Sequence, residues 1–314
     1  MSASFVEEFV TQLGFVLAVD GCQRGCRNCP AFGSTAPVQR ADLFEIEDRL
    51  RFLADLRVYY GLSGTYSDTI HCWRISDPLD YIDRLPRGSG VATVADLATL
   101  WREYLHQGLY VVTNGSEGRR YAQRALRAFA AAPRLVSQVK LTITPADREW
   151  GTAKYIENMT SDLRTLLPLW DYPVDRLDGN LDDRRLRLNV TSTSRDRAQA
   201  RSATADIMRA AGVKPALIPN WLDDPRRVAF KPIYDPGTST GEPTPVEDAI
   251  AITTTDRQRS TPSQWAQHRY GIRPNGNLFK VDMCSFTETD LHKSSGGPYT
   301  IDQIRAGVTR AGWV

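Results

Sequence analysis

"GFVLAVDGCQRGCRNCPAFG", residues 14–33, joins a short apolar run to three cysteines, Cys22, Cys26 and Cys29, spaced C-x3-C-x2-C. The apolar run reads as a strand and the cysteines as the loop that leaves it. Three thiolates this close can wrap one metal centre, and the other cysteines, Cys72 and Cys284, stand far off in the chain. A structural zinc takes four closed ligands, commonly two C-x2-C pairs, and the second pair is missing. A [4Fe–4S] cluster is ordinarily held by four cysteines, so three would leave one iron open, as catalysis requires. With Cys72 or His71 folded back as a fourth ligand, the same cysteines would instead hold structural zinc or a passive cluster.

Outward from this loop the chain alternates strand and helix signals. Residues 41–61 have apolar positions at helical spacing and end on glycine. "TIHCWRI" (69–75), "LYVVTNG" (109–115), "LVSQVKLTIT" (135–144), "RLRLNVTST" (185–193) and "VKPALIP" (213–219) read as strands, with helices over 93–108, 117–132 and 195–212 between them. About six such βα units in roughly 215 residues predict an α/β fold with a parallel sheet, a partial (β/α)6 TIM-like barrel rather than the full eight units. The barrel is expected over 1–220. Residues 221–314 are expected to hold a linker and a small α+β extension over the barrel mouth. That extension has a hairpin at Asn275-Gly276 and a closing helix.

The bulk composition narrows the class. With 41% hydrophobic residues, 24% charged and a formal net charge of +2, nothing global points to nucleic acid or an anionic membrane. Arginine outnumbers lysine, which reads first as coding bias. No stretch of about 18 apolar residues predicts a transmembrane span, and "MSASFVEEFV" lacks the pattern of a secretory signal. An odd cysteine count with three in one loop predicts a reducing, cytoplasmic setting.

The triplet and its strand–loop–helix context resemble the radical S-adenosylmethionine (radical SAM) superfamily. In that family the three cysteines hold a [4Fe–4S] cluster and SAM chelates the fourth iron. An electron then splits SAM to a 5′-deoxyadenosyl radical that abstracts hydrogen from an unactivated carbon. The resemblance implies metal ligation by Cys22, Cys26 and Cys29, and an electron donor such as flavodoxin or ferredoxin. Where the family has a Gly-Gly-Glu-Pro-like segment against the SAM amino group, this chain has "ISDPLDY" (75–81), so Ser76 and Asp77 take that place. "VVTNG" is similar to the third-strand end, with Thr113 and Asn114 facing the site. Thr142, Thr144, Asn189 and Thr191 would line later strand ends near the ribose and carboxylate of SAM. Asn28 stands where many members have an aromatic residue.

"GIRPNGNLFKVDMC…GGPYTIDQI" resembles the start of a SPASM or twitch extension, here with Cys284 alone and therefore degenerate and cluster-free. The resemblance to radical SAM epimerases makes Cys284 the candidate hydrogen donor, with Cys72 as rival and inert packing as the plain alternative for both. Epimerisation of a natural-product intermediate, an aminosugar-type small molecule or a peptide, is the favoured reaction. A dehydrogenase, a deoxygenase-type lyase and a peptide cross-linking enzyme are the alternatives on the same scaffold. Asp77, Asp80, Asp83, Asp223 and Asp224, grouped beyond two strand ends, favour a cationic substrate. Tyr59, Tyr60, Tyr66 and Trp73 are candidates to stack on it, and residues 61–68 read as a lid or a turn.

Overall fold

Helix and strand alternate along the chain largely where the apolar spacing places them. The computed structural model describes residues 3–22, 37–62, 70–74, 76–86, 90–143, 152–174, 184–192, 197–232, 268–282, 288–293 and 295–310. In chain order the elements are α1 (Ala3–Thr11), β1 (Leu13–Val16), β2 (Val19–Asp20), β3 (Gln39–Arg40), α2 (Leu43–Tyr59), β4 (Ile82–Arg84), β5 (Val91–Thr93) and α3 (Val94–Leu105). Then come β6 (Leu109–Thr113), α4 (Arg120–Ala131), β7 (Val136–Ile143), α5 (Ala153–Leu166), β8 (Leu186–Ser192), α6 (Arg197–Ala211), α7 (Ile218–Asp223) and β9 (Val228–Pro232). The chain closes with β10 (His268–Ile272), β11 (Leu278–Asp282), β12 (Glu288–Asp290) and α8 (Ile301–Arg310). Local chemistry fixes the helix starts. Asp42 accepts from the Phe44 N–H (2.8 Å) to cap α2, and Thr93 with Asp96 forms a capping box on α3.

The fold is α/β with a mostly parallel sheet. β6, β7, β8 and β9 pair in that order, all parallel. β1 has parallel neighbours on both sides. Residues 70–72 bond it on one edge (Val16 N to His71 O, Ala18 N to Cys72 O, both 2.9 Å), and β10 pairs with it on the other. Side chains bridge residues 70–73 to β6: Gln107 Oε1 accepts from Ile70 N (3.3 Å), and Trp73 Nε1 donates to Tyr110 O (2.9 Å). The helices cover one face of this sheet. Val139, Leu141 and Ile143 of β7 and Leu186, Leu188 and Val190 of β8 share one core with Leu97, Leu126, Leu163 and Ile207 of the helices.

The expected hairpin is present. β10 and β11 pair antiparallel about a turn in which Gly276 has φ +84°, a conformation that favours glycine. Its neighbour Gly271 meets a different demand. A Cβ there would stand 2.9 Å or less from three ring carbons of Phe279, which is fully buried and has nowhere to go. Gly271→Ala is therefore expected to cost about 2 kcal/mol in chemical denaturation. A cost near zero would mean that the Phe279 ring is not locked.

Four elements depart from the sequence reading. "VKPALIP" is not a strand: residues 215–217 make one tight turn and α7 starts at Ile218. Pro215 and Pro219 fix φ and sit at the starts of these turns, where no N–H is missed. The last strand of the array is β9, so the parallel sheet extends past residue 220. α5 lies in a stretch with no regular pattern before it, and α1 precedes the first strand. α1 is tied to β10, since Glu8 Oε1 accepts from Tyr270 (2.9 Å) and lies 3.0 Å from His268 Nε2. The bond from His268, then that from Tyr270, holds the Glu8 carboxyl below the usual range. No described helix is long and apolar enough to cross a membrane.

Candidate functional site

The face of the sheet turned away from the helices, the far face, is built by alternation. Side chains along a strand point to opposite sides, so Gln138, Lys140 and Thr142 of β7 and Arg187, Asn189 and Thr191 of β8 lie opposite the apolar core residues. Register sets them in rows: Tyr110 beside Gln138, then Val112, Lys140 and Arg187, then Thr142, Asn189 and Ala229. A strand buried on both faces of a parallel sheet would be apolar throughout. Here one face is polar, and polar groups there serve something other than packing.

Toward β1 the far face turns aromatic, then apolar. Trp73 stacks on Tyr110 (centroids 6.4 Å, 10° between planes), and His71 meets both edge-on. Lys140 Nζ stands 4.9 Å from the Tyr110 ring centroid. Phe15, Leu17, Phe279 and Val281 form a second, separate apolar cluster. Asn189 is 5% exposed, and its Oδ1 has no hydrogen-bond partner among the described residues. Thr191 Oγ1 donates to Ile143 O (3.4 Å), and Thr142 is half-buried.

Cys22 is half-buried and follows β2, just past the C-terminal end of β1. Its approach is anchored through Asp20, whose Oδ1 accepts from Gly21 N (3.0 Å) and whose Oδ2 accepts from Arg273 (2.9 Å). Arg273 also pairs with Asp290 (2.8 Å) and Glu288, and Glu288 pairs with Arg74. The C-terminal strands are thus ionically tied to the entry of the cysteine loop. Cys26, Cys29, Thr144 and Cys284 lie outside the described residues. Among the described residues no three His, Cys, Asp or Glu side chains group as a metal site.

Three of the expected cofactor contacts, Asp77, Thr113 and Asn114, converge on one another. Asp77 is buried and accepts three bonds: Leu79 N at Oδ1 (2.9 Å), Thr113 Oγ1 (2.8 Å) and Asn114 N (3.0 Å) at Oδ2. Ser76 Oγ donates to Val19 O (3.0 Å). Ser76, Asp77 and Thr113 therefore join the first three strand ends through bonds within the chain. Asn114 takes part through its backbone and keeps a half-buried side chain. Cys72 is fully buried in the helix-side core, opposite His71 and Trp73, and burial pushes its thiol far up, away from thiolate.

Alternation in "SQVKLTI" and "LRLNV" was the signal for Lys140 and Arg187; the sequence reading discounted single arginines and did not single out Lys140. No family model matches the chain, and no curated protein matches it.

Proposed function

We propose that this chain is a cytosolic radical SAM enzyme that abstracts hydrogen from an unactivated C–H bond of a natural-product intermediate. The observation that carries this reading is the departure of the C-x3-C-x2-C loop from the C-terminal end of a strand with parallel neighbours on both edges. In barrel enzymes the chemistry sits at that end. The finer architecture proposed is the partial (β/α)6 barrel. β1, residues 70–72, β6, β7, β8 and β9 are its strands, and α2 to α6 follow the first five in turn.

Cys22, Cys26 and Cys29 would hold a [4Fe–4S] cluster, and the Thr142–Asn189 row of the far face would hold SAM. The residues fit: the buried, unpartnered Asn189 Oδ1 accepts a hydroxyl donor such as a ribose OH, with Thr142 beside it. When bound, the cluster supplies the electron, received from a flavodoxin- or ferredoxin-like donor, that cleaves SAM for hydrogen abstraction. The chain's own residues do the rest. Asp20, Arg273 and Glu288 fix the loop entry, Trp73 and Tyr110 offer a ring-stacking wall, and Phe15, Leu17, Phe279 and Val281 keep water from that side. Epimerisation with Cys284 as hydrogen donor is the favoured outcome. It would place solvent deuterium at the inverted carbon.

The test is anaerobic. Protein reconstituted with iron and sulfide is given SAM and dithionite, and 5′-deoxyadenosine and the cluster's electron paramagnetic resonance are followed. Nucleoside, or a cluster spectrum that changes with SAM, is the expected result. Tightly bound zinc, or a cluster indifferent to SAM, would overturn the reading.

A further inference from the structure

We infer that the far face carries an anion-binding subsite for the substrate, formed by Arg187 and Lys140 beside the Trp73–Tyr110 stack. The substrate is then an oxoanion, a carboxylate or phosphate, borne on a flat or ring-shaped group. This deepens the proposed function and rests on it for the word substrate.

Lys140 and Arg187 are register partners on β7 and β8, so two cationic side chains leave one face on adjacent strands about 4.8 Å apart. Arg187 is half-buried. Its Nε is closed to solvent without a hydrogen-bond partner, and it has no ion-pair partner among the described residues. A guanidinium with no ion-pair partner among the described residues carries a desolvation cost, and a second cation beside it adds like-charge repulsion. A bound oxoanion relieves both costs, because the guanidinium fork matches carboxylate and phosphate geometry. Lys140 lies over the Tyr110 ring, which stacks on Trp73, so the cations adjoin an aromatic wall suited to a planar group.

The acidic residues that point to a cation in the sequence do not make the opposite case. Asp77 is spent on three donors, and Asp80 is paired with Arg119. Asp83 accepts from Leu43 N (2.9 Å), while Asp223 pairs with Arg201 (2.7 Å) and Asp224 with Arg226 (2.8 Å).

Isothermal calorimetry of the full-length protein tests this with phenyl phosphate, benzoate and benzylamine as probes. At least one anion is expected to bind while benzylamine gives no heat, and the tighter of the two anions tells phosphate from carboxylate. Arg187→Met should weaken that anion about tenfold or more, with Lys140→Met in the same direction and Arg187→Lys retaining part of the binding. The proposal is overturned if no anion binds, if benzylamine binds as well, or if anion binding survives Arg187→Met and Lys140→Met unchanged. SAM binding to the reconstituted variants is expected to match the wild type. Its loss would assign the pair to the cofactor's carboxylate and overturn the substrate assignment. Calorimetry needs no SAM cleavage, so a protein that binds anions but makes no 5′-deoxyadenosine would fail the proposed function and not this subsite.

Discussion

Cys22→Ala is expected to lower 5′-deoxyadenosine formation by roughly 100-fold or more, since removing a metal ligand exceeds the loss from removing its supporting contacts. Cys72→Ala should leave formation unchanged. The contrast follows from where the chain puts the two thiols. Cys22 is half-buried just after β2, and the Asp20–Arg273 pair holds the chain before it, so on the proposed ligation its loss would remove a ligand and leave the frame. Cys72 sits in the helix-side core, where burial keeps it a neutral thiol, and alanine there costs stability of about 1 kcal/mol and no chemistry. Iron and zinc contents of the purified variants read the same question independently. Metal lost from Cys72→Ala, with Cys22→Ala retaining it, would revive Cys72 as a fourth ligand and a structural site.

Features encoded by neighbours in the chain were legible before the fold was known. The strand entering the cysteine loop, the caps of α2 and α3 and the Asn275-Gly276 turn each depend on a few adjacent residues. Polar alternation on β7 and β8 is equally local. Thr142 and Asn189 became candidates because the family resemblance puts site residues at strand ends, while Arg187 was set aside by a discount on single arginines. What no local pattern announces is pairing across the chain. Arg273 meets Asp20 across 253 positions and Arg74 meets Glu288 across 214, and only the assembled sheet brings them together. The partners of the aspartates after residues 70–72 were hidden for the same reason. An Asp in a Pro-containing loop looks like a solvated carboxylate until the donors arriving from β6 are in place. α7 was mistaken because "ALIP" has the composition of a short strand.

The same exchange of Asp for Asn is expected to have opposite consequences at two caps. At Asp42 the carboxylate is exposed and one oxygen accepts one bond, from Phe44 N. Asparagine offers that oxygen equally well, so Asp42→Asn should cost no more than a few tenths of a kcal/mol. At Asp77 each oxygen faces an obligatory donor: Leu79 N–H at Oδ1, and Asn114 N–H with the Thr113 hydroxyl at Oδ2. Whichever way the asparagine amide is turned, its NH2 opposes a backbone N–H that cannot reverse its role, in a site only 5% exposed. Asp77→Asn should therefore cost about 3 kcal/mol, the sum of a lost charge-assisted bond and a buried donor left unmet. Urea denaturation of the two variants decides it. Equal costs would mean that the strand-end network around Asp77 relaxes freely, and that its carboxylate is spare for a ligand after all.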